Sequence, residues 1–123
     1  MQAKRPPSTP LQASRRPAAL DRRLDPAIFK PLADPTRCRI LACLVKCGRP
    51  CSVTEVAACC DLDFSTVARH LNALARGGWL GATKDGRWVR YDADAAALAA
   101  RFRELADAVE DAAGTRCCGE GCR

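Results

Sequence analysis

Residues 63–76, DFSTVARHLNALAR, carry the clearest helical pattern in the chain. On a helical wheel, Val67, Leu71 and Leu74 fall on one side, so this side should face a core. The aspartate before the run is a favourable N-cap, and the two glycines after it are typical of a helix end. The pattern predicts an amphipathic helix over residues 64–76.

The opposite side of this helix carries residue types that suit contact with DNA bases. Arginine can bind guanine through two hydrogen bonds, asparagine can pair with an adenine edge, and small hydroxyl side chains allow a close approach to a major groove. An ordinary solvated face is the alternative. The only histidine, His70, lies at the edge of the buried side, where we expect a structural or phosphate-contacting role. The candidate DNA-binding side chains of this helix are Ser65, Thr66, Arg69, Asn72 and Arg76.

The residues before this helix predict three more helices. Pro at the first helical position indicates a short helix from Asp25-Pro26 and a longer one from Asp34-Pro35 to about Cys47. In SVTE, residues 52–55, the first and last side chains form a capping box, so a helix should run over about residues 53–60. Together with residues 64–76 it gives a helix-turn-helix pattern. The expected buried positions of the longer helix are Cys38, Leu41, Leu44 and Val45.

The run WLGATKDGRWVRY, residues 79–91, predicts a β-hairpin. Asp85-Gly86 is a type I′ turn signal between two segments rich in β-forming residues. We expect Lys84, Arg87 and Arg90 to contact phosphates or enter a minor groove, and Trp88 to be packed. Beyond the hairpin, a last helix over about residues 94–112 has one apolar stripe, which we expect to form a dimer interface. That stripe consists of Leu98, Phe102, Leu105 and Val109.

Charge and composition favour a small nucleic-acid-binding protein. The sequence has 20 Lys and Arg against 14 Asp and Glu, for a net charge of +6. A basic protein is drawn to polyanions, so double-stranded DNA is the leading partner class. Because we find neither a secretory signal nor an apolar run long enough to span a bilayer, we expect a cytoplasmic protein without a membrane partner. No nucleotide-binding loop, βαβ Cys-x-x-Cys motif or second histidine supports an enzyme.

These observations predict three regions and one fold class. Residues 1–23 should be a flexible basic arm, because prolines and arginines bury too little apolar surface to offset the entropy of ordering. Residues 24–113 should form a DNA-binding and dimerisation domain, and residues 114–123 a cysteine-rich tail. The fold class is mainly α with a β-hairpin wing, a winged helix-turn-helix that dimerises through its N- and C-terminal helices.

Three segments of the sequence resemble the ArsR/SmtB family of metal-responsive repressors. They are LADPTRCRIL at residues 32–41, STVARHLNAL at 65–74 and GRWVRY at 86–91. The resemblance covers about residues 25–112. It implies a homodimeric winged helix that binds operator DNA when metal-free and releases it when an inducing ion binds.

The nine cysteines decide where such an ion would bind. A family site with Cys-x-Cys at the start of the third helix is missing, because Ser52 and Thr54 occupy those positions. A site with His ligands on the last helix is also missing. The tail residues Cys117, Cys118 and Cys122 resemble the vicinal-cysteine sites of arsenite-responsive members, and three thiolates suit a thiophilic ion. They are the predicted metal ligands.

The expected inducer is arsenite or another thiophilic ion, with no organic cofactor. Mercury, cadmium and lead stay open as inducers, and so does a thiol-redox switch of the same fold. A metal-sequestering protein is the alternative from another class. A second thiolate site could be built from Cys43, Cys47 and Cys51, or the pair Cys59-Cys60 could complete a site with the tail. Cys38 and Cys60 also fit a simple packing role.

Overall fold

The structure is a computed structural model that describes residues 8–114. The chain divides into two compact units, one that includes residues 8–25 and 100–114 and one of residues Pro26–Ala99. The division falls within the last helix. The predicted tail, residues 114–123, lies outside the described residues except for Gly114.

The described residues contain seven α-helices, one 3-10 turn and three β-strands. In chain order they are α1 (Pro10–Ser14), α2 (Ala19–Arg23), α3 (Pro26–Phe29), a 3-10 turn (Lys30–Leu32), α4 (Pro35–Cys47), β1 (Cys51–Ser52), α5 (Val53–Cys60), α6 (Phe64–Arg76), β2 (Gly81–Asp85), β3 (Trp88–Asp92) and α7 (Ala95–Ala113).

The ends of the central helices are set by side chains that satisfy free backbone groups. The Asp34 carboxylate accepts from the backbone nitrogens of Thr36 and Arg37 at 2.8 and 3.1 Å, and α4 ends at Gly48, whose φ is +72°. Ser52 and Glu55 form the predicted capping box of α5. The predicted bounds of α5 and α6 are confirmed. They could be predicted because capping signals are local in sequence.

The turn between α5 and α6 contains a left-handed residue that is not glycine. Asp61 caps the end of α5 with φ 55° and ψ 45°. Aspartate tolerates this conformation better than most side chains do. Asp63, in extended conformation two residues later, begins α6. The helix-turn-helix is therefore closed by a three-residue connection with a cap at each end.

The three strands form an antiparallel sheet in the order β1-β3-β2. The hairpin pairs Asp85 with Trp88, so its two-residue turn consists of Gly86 and Arg87. Gly86 has φ +62°, whereas Arg87 is not among the positive-φ residues. This pattern is that of a type II′ turn, so the predicted type I′ turn at Asp85-Gly86 was wrong by one residue. Aspartate instead ends the strand.

The core of the Pro26–Ala99 unit lies between α4, α5, α6 and the sheet. The predicted inner face of α6 is confirmed, because Val67, Leu71 and Leu74 are fully buried. Trp79 is 3% exposed, and its Nε1 donates to the Ile28 carbonyl at 2.9 Å. This bond joins the segment after α6 to α3, 51 residues earlier. Ile40 and Leu44 of α4 are also fully buried.

The predicted buried face of α4 is confirmed at Leu44 and in part at Leu41, but it was wrong at Cys38 and Val45. Ile40 and Leu44 are buried, whereas Cys38 and Val45 are exposed. The Cys38 thiol donates to the Leu32 carbonyl at 3.0 Å instead of packing in the core. The α4 sequence has apolar side chains on more than one side of the helix, so its periodicity did not define a single face.

The other unit contains two short helices where the composition predicted a flexible arm. In α1, Pro10 occupies the first turn and Thr9 forms a capping box with Gln12. Both devices fix a helical start locally, without burial of a core. Within the same unit, Arg23 forms an ion pair with Glu104 of α7 at 2.8 Å. The described part of residues 1–23 is therefore partly helical.

The apolar stripe of α7 is partly confirmed as an exposed surface. Phe102 and Val109 are about half exposed, and Leu105 is partly buried. Leu98 is instead buried in the core of the Pro26–Ala99 unit. The first turn of α7 thus belongs to that core, and the exposed apolar positions follow it along the helix.

Candidate functional site

The polar side of α6 is exposed as the sequence predicted. Ser65, Arg69, Asn72 and Arg76 are exposed, and Thr66 is partly buried. They lie opposite the buried side that packs on the core. The helix therefore presents one continuous hydrogen-bonding surface of the kind that direct readout of a major groove requires.

Two of these side chains are already engaged at the start of α6. The hydroxyls of Ser65 and Thr66 donate to the Asp63 carboxylate at 2.7 and 2.6 Å. The Asp63 carboxylate also accepts from the Thr66 backbone nitrogen at 3.1 Å. These bonds hold the pKa of Asp63 well below its usual range, the Thr66 hydroxyl having the largest effect. Since both hydroxyl protons are used by the cap, these side chains can offer a base only acceptor lone pairs.

The basic side chains of the hairpin have different surroundings. Arg87 lies in the turn, at the tip, and Lys84 lies on β2; both are exposed. Arg90 instead lies near two carboxylates, 3.7 Å from Glu55 and 3.8 Å from Asp85. Lys84 and Arg87 therefore suit phosphate contacts, while Arg90 links the hairpin to α5.

Glu55 is the centre of the charges that surround the start of α5. Its carboxylate accepts from Arg49 at 2.7 Å and from the Ser52 backbone nitrogen at 2.9 Å. The hydrogen bond from Arg49, followed by that from Ser52, lowers the pKa of Glu55 to about 2. Glu55 thus stays ionised at neutral pH and holds the cap of the first helix of the helix-turn-helix.

Two aromatic side chains are exposed, one on α6 and one on the hairpin. Trp88 on β3 is 57% exposed, so the expectation that it packs was wrong. Phe64, the first residue of α6, is 58% exposed and was missed as a candidate. Because it lies three residues before buried Val67, the helical period places it near the buried side, so no periodic signal indicated its exposure. An aromatic ring at a helix start can contact a thymine methyl group.

His70 joins α6 to α4. Its Nδ1 accepts from Arg37 Nε at 3.2 Å. The partly buried ring is therefore used in a helix–helix contact, in line with the structural role expected for it.

The cysteines of the Pro26–Ala99 unit form two close pairs. The sulfurs of Cys43 on α4 and Cys59 on α5 are 3.6 Å apart, and so are those of Cys47 and Cys51. The second thiolate site considered from the sequence, Cys43 with Cys47 and Cys51, is thus not formed as one group. Cys43 lies beside Cys59, and only Cys47 and Cys51 lie together. Within residues 8–114, no group of three or more potential ligands is arranged to hold a metal ion.

Several of these thiols have raised pKa values. Burial, followed by the hydrogen bond with Cys47, raises the pKa of Cys51 to about 11. The hydrogen bond with Cys59 raises the pKa of Cys43. Burial also raises the pKa of Cys60. The predicted ligands Cys117, Cys118 and Cys122 lie outside the described residues.

A family model described as a helix-turn-helix domain matches residues 32–78. The HTH-type transcriptional regulator CmtR of Mycobacterium tuberculosis is 42% identical over 78 residues, which are 63% of this chain and 64% of that protein. The arsenical resistance operon repressor of Escherichia coli is 38% identical over 64 residues, 52% of this chain and 54% of that protein. The chain thus matches less than two thirds of the length of either curated relative.

A solved structure extends the match. An ArsR-like transcriptional regulator from Rhodococcus sp. RHA1 is 32% identical, with a TM-score of 0.58, over 69% of this chain and 78% of that one. Two of these proteins are named as transcriptional regulators and one as an operon repressor, which agrees with the expectation of a regulator rather than an enzyme. None of the helices within residues 8–114 has the length and apolar composition that a membrane crossing requires. Because this solved regulator is 32% identical and 78% of its length is covered, the chain belongs to the ArsR family of transcriptional regulators.

Proposed function

We propose that the protein is a metal(loid)-responsive transcriptional repressor. As an ion-free homodimer it binds double-stranded operator DNA, and it leaves the DNA when thiolates of the chain bind a thiophilic ion. The proposed inducer is arsenite, and the proposed ligands are Cys117, Cys118 and Cys122. Arsenite is the ligand that is sensed here, not a resident cofactor.

The observation that carries the DNA-binding part is the exposed polar side of α6. Arg69 and Asn72 lie one turn apart on this side and are exposed, so both can reach base edges from a helix placed in a major groove. Arg87 at the hairpin tip and Lys84 on β2 supply positive charge on the hairpin. Base contacts would come from α6, and phosphate contacts from the hairpin.

The exposed apolar side chains of α7 support the dimer. Phe102 and Val109 are about half exposed and lie seven residues apart, on the same side of the helix. Pairing α7 with its copy would cover them and fix the distance between two α6 helices. Such a dimer matches an inverted repeat, with one α6 in each of two successive major grooves.

Sulfur chemistry supports the inducer. Thiolates select soft ions over calcium and magnesium. One relative of this chain is named an arsenical resistance operon repressor. The three tail cysteines follow α7 within nine residues of its end at Ala113. Ion capture there would alter the α7 interface and thereby the spacing of the reading helices, with a coupling of about 1–3 kcal/mol, or roughly 5–150-fold weaker DNA binding.

A mobility-shift titration on the DNA upstream of the gene tests the proposal. We expect fully reduced protein to bind this DNA and arsenite to release it, whereas the C117S/C118S/C122S variant should bind equally well and ignore arsenite. Excess reductant throughout separates ion capture from a redox switch. Release of the variant at the same arsenite concentration as the parent would refute the tail as the sensor, and failure of the parent to bind would refute the repressor.

A further inference from the structure

One of the two close thiol pairs joins the first helix of the helix-turn-helix to α4, the helix before it. Cys43 is on α4 and partly buried, and Cys59 is on the last turn of α5 and exposed. Their sulfurs are 3.6 Å apart although 16 residues separate them in sequence. The pair is therefore formed by the packing of two helices and remains open to solvent on one side.

The distance between the sulfurs restricts what the pair can bind. With a bond to sulfur of about 2.3 Å, the length found for thiolate on zinc, two sulfurs on a linear centre lie about 4.6 Å apart, and on a right-angled centre about 3.3 Å apart. The observed 3.6 Å lies close to the value for a bent centre. Two-coordinate mercuric ion is linear, whereas trivalent arsenic is pyramidal.

The number of sulfurs at the Cys43–Cys59 pair further restricts which ligand it can bind. Within the described residues no third ligand joins the pair, so a centre that needs three protein thiolates is not satisfied there. A trivalent arsenical with one organic substituent needs only two, because its third bond is to carbon. Soft arsenic also matches thiolate in preference to oxygen ligands.

We propose that Cys43 and Cys59 form a binding site for monosubstituted trivalent arsenicals, separate from the tail cysteines. Each thiol forms one sulfur–arsenic bond and gives its proton to a hydroxyl group on arsenic, which leaves as water. Two thiols and one R–As(OH)₂ yield one R–As(SR′)₂ and two waters, and arsenic stays trivalent. The product joins α4 to α5 covalently. The site is independent of whether the tail senses arsenite.

The pair Cys47–Cys51 has the same sulfur–sulfur distance but different access. Cys51 is only 5% exposed, and its thiol donates to the Arg49 carbonyl at 3.5 Å. A substituted arsenical would have to displace core atoms to reach it. Both thiols of this pair also flank one short connection, from the end of α4 to β1. The pair therefore serves as a matched control.

The test uses phenylarsine oxide and the full chain in the C117S/C118S/C122S background, fully reduced. Intact-mass spectrometry should show one phenylarsenic adduct that survives excess glutathione and is removed by dithiothreitol, with the loss of two titratable thiols. Adding Cys43→Ser or Cys59→Ser should abolish this adduct. Cys59 is exposed, so its serine variant keeps the fold, which circular dichroism verifies.

Two further variants in the same background identify the partner. Cys60→Ser should keep the adduct, because Cys60 is not part of the pair. C47S/C51S should keep it as well. Loss of the adduct in Cys60→Ser, or its survival in Cys43→Ser, would assign it to the vicinal cysteines and overturn the proposal. A failure of arsenite to release DNA would overturn the repressor mechanism without affecting these masses.

Discussion

Replacing Trp79 with phenylalanine should destabilise the winged helix-turn-helix strongly. The indole is 3% exposed, and its Nε1 donates to the Ile28 carbonyl at 2.9 Å. Phenylalanine cannot donate, so the carbonyl loses its partner at a cost of about 1–3 kcal/mol. The smaller ring also leaves a cavity, which brings the expected total to about 2–4 kcal/mol.

Trp88 supplies the matched control, because the chain has two tryptophans and this one is 57% exposed. Trp88→Phe should change the free energy of unfolding by no more than about 0.5 kcal/mol. Thermal melts followed by circular dichroism, at one protein concentration, compare the two variants. Since about 1 kcal/mol corresponds to about 4–8 °C, Trp79→Phe should lower Tm by at least about 8 °C. Equal melting of the two variants would refute the tie between α3 and the segment after α6.

Three further predictions concern a pH dependence, a close contact and the DNA surface. Because the pKa of Glu55 falls to about 2 on folding from a usual 4.5, its contribution to stability is complete above pH 4.5 and is lost as the pH falls toward 2. The urea midpoint of Glu55→Gln should thus lie below the wild-type midpoint at neutral pH, and the difference should vanish near pH 2. A Cβ at Gly77 would lie 2.6 Å from Pro31 Cγ, so Gly77→Ala should cost about 1–3 kcal/mol in urea unfolding, and adding Pro31→Ala should recover most of it. In mobility shifts, Arg69→Ala should cost about 1–3 kcal/mol of binding and relax sequence preference, whereas Lys84→Ala should weaken all sequences alike and reduce the salt slope by about 1; the opposite assignment would contradict the proposed roles.

The sequence predicted best where structure depends on neighbouring residues. The starts of α5 and α6 follow from Ser52, Glu55 and Asp63. Each of these side chains accepts a hydrogen bond from a backbone nitrogen three residues away. The buried side of α6 follows from a strict apolar period. The exposed side chains proposed to contact DNA follow from the same period, because they occupy the side of α6 opposite the buried one.

Prediction failed where the answer depends on contacts distant in sequence. The two-residue strand β1 exists only because Cys51 and Ser52 pair with Tyr91 and Arg90 of β3. Likewise, the sulfurs of Cys43 and Cys59 meet only because α4 packs near the end of α5. Periodicity along one helix does not indicate which side chain of another helix lies opposite.

The burial predicted for Cys38 and Trp88 was also wrong. Both are of residue types that are commonly buried, and both are exposed here. Residue type gives a tendency toward burial, but the arrangement of the neighbouring elements decides it. The composition of residues 1–23 also concealed the capping box at Thr9 that starts α1.

The position of β1 has a mechanical consequence for induction. Ser52 pairs with Arg90 in the sheet and at the same time caps α5, so a single residue belongs to both the hairpin and the helix-turn-helix. A rotation of the hairpin against α5 would break a strand pair and a helix cap together. In the proposed dimer, each protomer's reading surface should therefore move as one piece, and loss of operator affinity should arise from a changed separation of two intact surfaces.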